Sequence, residues 1–139
     1  MPTTVYFATN RVVTDAGNPI NGYRATMVPP LRPQDITYGT ATVDGVDIQA
    51  GAQGVVSRID NVKQGVFSDQ AISTLSDPGT DLLVFIHGFD NTFSDAVTRA
   101  AFNREWLAAS QMPQTNTTVI AFSWPSRGRI VGFPVLAEP

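Results

Sequence analysis

Leu82-Leu83-Val84-Phe85-Ile86-His87-Gly88-Phe89 is the stretch whose reading decides the fold. Five consecutive apolar residues, mostly branched or aromatic, predict a strand buried on both faces. A His-Gly pair directly after such a strand, with a helix to follow, marks a ligand-facing turn. His87 is the sole histidine of the 139 residues. It is committed to that turn, so chemistry that needs a second imidazole is incomplete within this sequence.

Working outward, Asp77-Pro78-Gly79 turns the chain into the strand. After it, Thr92 or Ser94 can cap a helix running to about Ser110. Phe93, Ala96, Val97, Ala100 and Leu107 fall at helical spacing on one stripe, widened by Phe102 and Trp106. Pro113 ends the helix. Residues 117–123, Thr-Thr-Val-Ile-Ala-Phe-Ser, form a second apolar strand. Strand, helix and strand in about 40 residues make a βαβ unit with parallel strands and a right-handed crossover. The following Trp124-Pro125-Ser126-Arg127-Gly128 is a turn at the carboxyl end of a strand, where α/β proteins place ligands.

Towards the N-terminus the signal weakens. Residues 3–9 have strand composition. Pro19, Pro29, Pro30 and Pro33 make 15–35 an irregular loop. Residues 38–50 predict a hairpin turning at Asp44-Gly45, with Val46 and Ile48 alternating against polar neighbours. Residues 51–65 are ambiguous, and Ser68 can cap a short helix over 69–75 with Asp69 in its first turn. Residues 129–139 have no period. The expected organisation is one partial domain, 1–139: strands and loops to 79, the βαβ unit over 80–128, and a loop over 129–139 leading to a missing segment.

Composition narrows the function. Apolar residues are 42% and charged residues 15%, which gives a globular and not a disordered chain. The net charge is −3, with Lys63 the single lysine and no basic run, so nucleic-acid binding has little support. Without cysteine there are no disulfides, thiolate nucleophiles or cysteine-ligated metals, and with one histidine a zinc site is improbable. No cofactor is expected. No signal peptide or membrane span is visible, which predicts a cytoplasmic protein without a membrane partner. Asn116-Thr117-Thr118 matches a glycosylation sequon and is read as chance without a secretory signal. No nucleotide-binding glycine motif is present, and the scattered carboxylates form no glycosidase pair.

Gly88 lets the backbone turn sharply and approach a ligand. The N–H of Phe89 then points into the crevice above the sheet, in position to donate to a developing oxyanion, an interaction of about 3–4 kcal/mol in a transition state. The competing reading is a tight turn at Gly88 with His87 buried and hydrogen-bonded. Asp90 can hydrogen-bond its own turn. Trp124 either lines a substrate pocket or closes the core under the carboxyl end of the sheet. Arg127 and Arg129 read as solvated, although a loop arginine near a crevice can hold a carboxylate.

The run Leu82–Phe93, the helix to Trp106 and Val119-Ile-Ala-Phe-Ser-Trp-Pro-Ser-Arg-Gly128 resemble the α/β-hydrolase superfamily. They are most similar to a bacterial esterase/lipase-like group of poorly defined function. Val5-Tyr-Phe-Ala-Thr-Asn-Arg11 and Tyr38-Gly39 are similar to that group's opening. The resemblance implies the N-terminal part of an α/β-hydrolase fold: a mostly parallel sheet with an N-terminal antiparallel hairpin, strands 82–86 and 117–123 being the third and fourth. It implies a serine esterase acting on small carboxylic esters, with the Phe89 N–H as oxyanion donor and His87, Gly88, Asp90, Trp124 and Ser126 around the substrate.

One departure is plain. The Gly-x-Ser-x-Gly nucleophile elbow of that fold is absent, and no histidine follows residue 87. Trp124-Pro125-Ser126-Arg127-Gly128 comes nearest, but a tryptophan replaces the first glycine. Ser126 as nucleophile and His87 as base are therefore minor alternatives. Nucleophile, acid and base are expected from a complementary C-terminal segment or second chain, without which the 139 residues are inactive. Rival readings are a non-catalytic interaction module on a half fold, or a hydrolase with other chemistry, such as a dehalogenase or epoxide hydrolase.

Overall fold

The structure is a computed structural model that describes residues 2–27, 35–87, 91–110 and 116–125. In chain order the elements are β1 (Thr3–Thr9), β2 (Arg11–Val13), β3 (Tyr23–Met27), β4 (Thr37–Asp44), β5 (Val55–Val62), α1 (Gln64–Leu75), β6 (Thr80–Ile86), α2 (Phe93–Ala109) and β7 (Asn116–Ser123). Five strands form one sheet in the order β5-β4-β1-β7-β6, and β2 and β3 pair as a separate antiparallel hairpin. β7 runs parallel to both β1 and β6, β4 runs antiparallel to β1, and β5 antiparallel to β4. Only β4 therefore opposes the common direction. The fold is a mostly parallel α/β sheet with an antiparallel hairpin, as expected of part of an α/β-hydrolase.

Alternation places Val5 and Phe7 of β1, Ala41 and Val43 of β4, and Val119 and Ala121 of β7 on one face. α2 covers that face with Phe93, Val97, Ala100 and Ala101, and Leu83 and Phe85 pack against the same cluster. α2 starts where the sequence places it. The Thr92 hydroxyl accepts from the Asp95 N–H at 3.1 Å and the Asp95 carboxylate accepts from the Thr92 N–H at 3.0 Å, a complete capping box. Leu107 is half-buried, but Trp106 is 58% exposed, so the apolar stripe is narrower than the sequence suggests.

The other face is only partly covered. Phe67 of α1 packs on Tyr6 and Tyr38. Beyond it, Leu82, Val84 and Ile86 of β6 remain 37, 56 and 65% exposed. The expectation of a strand buried on both faces is corrected here. β6 ends the sheet, and among the described residues α1 reaches its outward face only near Leu82, through Ala71 and Thr74, leaving Val84 and Ile86 largely uncovered.

Further readings are corrected in the N-terminal half. The hairpin is longer than 38–50: β4 pairs with β5 from Tyr38↔Val62 to Asp44↔Val55. Gly45 does adopt a positive φ of 80°, but it opens a longer connection that holds Val46 and Ile48 and is closed by an Asp47–Ala52 bridge. The ambiguous stretch after Gly51 contains β5. α1 begins at Gln64, not Asp69, and its N-cap Lys63 offers no side-chain cap, so no cap residue marks the start. Within the proline-rich loop, Tyr23–Met27 is a strand. Pro29, Pro30, Pro33 and Pro113 lie outside the described residues.

Tyr23 anchors the small hairpin. Its ring stacks on Phe93 at 3.8 Å and its hydroxyl donates to the Ala16 carbonyl at 2.7 Å. Burial, with a smaller push from Asp15 against a hydrogen bond to Asn61, raises the phenol above its ordinary value of 10.0. The folded state thus favours the neutral ring. That contribution is complete below pH 10.0 and is lost as pH rises through the raised value. Tyr23→Phe is expected to cost about 0.5–1.5 kcal/mol at neutral pH and to move the alkaline unfolding midpoint upward. Circular dichroism across an alkaline titration checks this. An unmoved midpoint would detach Tyr23 from alkaline unfolding.

Candidate functional site

The carboxyl ends of β1, β7 and β6 converge with the N-terminus of α2. Parallel strands point their carboxyl ends to one edge of the sheet, and the turns leaving that edge form the crevice used by α/β proteins. Here the turns begin at Asn10, Trp124 and His87.

His87 and Trp124 hold one another in both directions. The Trp124 backbone N–H donates to His87 Nε2 at 2.9 Å, and the Trp124 indole Nε1–H donates to the His87 carbonyl at 3.0 Å. The rings stack at 4.8 Å with 14° between their planes. His87 is 3% exposed. Nε2 also lies 3.1 Å from the Trp124 carbonyl oxygen, so in either tautomer that nitrogen is engaged by the Trp124 main chain and ties two strand ends together. The two residues lie 37 positions apart and leave adjacent strands just beyond the Ile86↔Phe122 pair, Trp124 standing one residue past the position that continues the register opposite His87.

Arg11, at the start of β2, is 1% exposed and is the largest fully buried side chain. Its Nε donates to Ser123 Oγ at 2.8 Å, and its two terminal nitrogens donate to the carbonyls of Arg24, at 3.1 Å, and Asn91, at 3.0 Å. The Thr9 hydroxyl donates to the Ser123 carbonyl at 2.6 Å and accepts from the Arg11 N–H at 3.1 Å. Burial pulls the guanidinium down to about 10, with the Asp95 carboxylate acting against that, so it stays charged at neutral pH. Beside it, the buried Asn10 Oδ1 has no hydrogen-bond partner.

Of the residues singled out from the sequence, His87 and Trp124 are thus brought into direct contact. Gly88, Phe89, Asp90 and Ser126 lie outside the described residues, as do Arg127 and Arg129. Thr9, Arg11, Asn91 and Ser123 were not anticipated as site residues. The available signal was an Asn-Arg pair directly after an apolar strand, where a charge has to turn either to solvent or to buried carbonyls. A separate open cleft of about 310 Å³ lies along the same edge at β4 and β5, lined by Tyr38, Asn61, Lys63 and Gln64 among others. Among the described residues no group of three or more His, Cys, Asp or Glu could hold a metal ion, and no helix is long and apolar enough to cross a membrane.

A mostly parallel sheet and a βαβ unit, with His87 and Trp124 at the carboxyl edge, define an α/β protein whose architecture is that of part of a hydrolase fold. The chain belongs to the family described as alpha/beta hydrolase of unknown function (DUF900), whose model matches residues 64–136, just over half of its length. The match takes in α1, β6, α2, β7 and the Trp-Pro-Ser turn, and leaves β1–β5 outside. No curated protein and no solved structure matches the chain.

Proposed function

We propose that this chain supplies the oxyanion turn of a serine hydrolase that cleaves small carboxylic esters. The observation that carries the reading is the anchoring of the turn on both flanks: His87 is clamped to Trp124, and the Asn91 carbonyl is held by Arg11. The segment between them contains Gly88 and Phe89, whose N–H is the proposed donor. Stabilisation of an oxyanion depends on donors fixed before the charge develops, and the holding of both flanking residues, His87 and Asn91, supports that reading. The substrate carbonyl carbon takes the serine oxygen while the serine proton passes to the base of the proposed complement, the carbonyl π electrons move to oxygen, and the Phe89 N–H binds that oxygen. Collapse of the tetrahedral species breaks the C–O bond, the base returns the proton to the departing alkoxide, and the acyl-serine is left for water to hydrolyse.

His87 serves this reading as an anchor of the segment's N-terminal flank and not as the base, because its Nε2 is engaged by the N–H and the carbonyl of Trp124. The nucleophile, acid and base come from a C-terminal complement, since residues 1–139 contain no Gly-x-Ser-x-Gly and no second histidine.

The complete gene product, assayed with p-nitrophenyl acetate and a fluorophosphonate probe, is expected to turn over the ester and to be labelled on a serine outside residues 1–139. Residues 1–139 alone should do neither. A labelled Ser123 or Ser126 in the short chain would remove the need for a complement. A complete product that neither turns over ester nor takes the label would end the serine-hydrolase reading.

A further inference from the structure

We propose that the open cleft of about 310 Å³ at the joined ends of β4 and β5 binds a small carboxylate with an apolar body. The proposal stands apart from the esterase reading, since neither His87 nor Trp124 lines that cleft.

The cleft forms where two paired strands part. β4 enters the sheet and β5 leaves it at the Tyr38↔Val62 pair. The chain then passes through Lys63 into α1, which begins at Gln64. Ile36, Tyr38 and Val62 line the space left between these segments, together with the polar Asn61, Lys63 and Gln64. Phe67 of α1 holds the Tyr38 ring at 4.9 Å and the Tyr6 ring at 6.1 Å. Tyr38 is thereby fixed before a ligand arrives, which lowers the ordering cost of binding. β5 is antiparallel to β4, and β4 to β1, so the carboxyl end of β5 lies on the same edge as that of β1. That is the edge at which α/β sheets take ligands.

The lining also carries a charge without a counter-charge. Lys63 is the single lysine of a chain whose net charge is −3. Among the described residues no ion pair or hydrogen bond engages its ammonium, and none engages the Tyr38 hydroxyl. No Asp or Glu is among the described lining, and Asp35, which precedes Ile36, is not part of it. Asp60, on β5, is paired with Arg58 at 2.9 Å. Lys63 has no structural task at the start of α1 either, since its side chain makes no cap hydrogen bond. One ammonium matches the single charge of a carboxylate, and the Tyr38 hydroxyl and the Gln64 amide add neutral donors. Ile36 and Val62 suit an alkyl or aryl body, of which inorganic phosphate would make no use.

The test titrates the complete gene product with benzoate, read by saturation-transfer NMR, with benzamide and inorganic phosphate as comparisons. Lys63 and Arg58 are exposed, so their variants are expected to fold. An exposed charge pair is weak, so binding is expected at about millimolar benzoate. It should weaken on going from about 20 to about 200 mM salt. Benzamide should bind about fivefold more weakly, and phosphate at equal concentration should not displace benzoate. Lys63→Met should weaken benzoate about fivefold, Lys63→Arg should stay within about twofold, and Arg58→Met should change nothing.

No binding at about 10 mM benzoate overturns the proposal. So does binding that Lys63→Met leaves intact, or that Arg58→Met weakens equally, because the charge would then be read diffusely. Displacement by phosphate would show that the apolar lining takes no part, and would overturn it as well. Ester turnover by the same protein, present or absent, bears only on the esterase reading.

Discussion

Phe93→Ala is expected to remove a large share of the stability of the domain. Phe93 is buried at the first turn of α2, with Tyr23 stacked on one side at 3.8 Å and Phe7 meeting it edge-on at 5.1 Å. These three rings join α2, the central strand β1 and the outlying β2–β3 hairpin. Truncating a buried phenylalanine costs about 3–5 kcal/mol, part of it the cavity left behind. A domain of this kind is stable by only about 5–15 kcal/mol. Phe93→Leu keeps most of the volume but loses the stacking and edge contacts, and should cost less than the alanine. Urea unfolding checks both: the midpoint falls in that order with an unchanged slope. A loss below about 1 kcal/mol for the alanine would mean that the rings do not form a common core.

The uncovered face of β6 predicts the second large effect. Leu82, Val84 and Ile86 line one side of an edge strand, in register with Thr118, Ile120 and Phe122 of β7. Exposed, flat, apolar edges pair with other chains. Residues 1–139 expressed alone should therefore self-associate, and Val84→Lys with Ile86→Lys should abolish the association at little cost, because both side chains are already exposed. In a protein that carries the proposed complement over β6 the same pair is expected to be severely destabilising. Each apolar side chain contributes about 1.5–3 kcal/mol when fully buried, and a lysine placed under a cover has to be desolvated. Light scattering on the short chain and thermal unfolding on the complete product report the two halves of this prediction. A wild-type short chain that is monomeric and unfolds cooperatively would refute the proposed complement.

How much of this was legible follows from where the physical signal resides. β6, α2 and β7 announce themselves because burial against one another imposes runs and periods on their residues, and Thr92 with Asp95 writes the helix start into the sequence. β5 does not, since Val55-Val-Ser-Arg-Ile-Asp-Asn-Val62 is a solvent-rich outer strand that buries little besides Val56. β3 is masked by neighbouring prolines, and α1 by an N-cap without a side-chain acceptor. At the site, His87 and Trp124 were each visible as residues, but their mutual clamp depends on strand register across 37 positions. Arg11 was hidden for a different reason. Two of its partners are main-chain carbonyls, and a carbonyl leaves no trace in residue identity.

The placement of β7 also bears on how the molecule is made. Among the described strands it is the last to leave a ribosome, yet it lies between β1 and β6. Thr9 waits for Ser123, 114 positions later, before its hydroxyl finds a carbonyl. At about 5–20 residues per second, β1, β4 and β5 can assemble as a meander for several seconds while β6 has no neighbour. Contacts of such long sequence separation slow folding and lengthen exposure to other chains. Translation arrested before residue 116 would thus produce not a trimmed sheet but two unjoined pieces, with Arg11 deprived of its Ser123 partner.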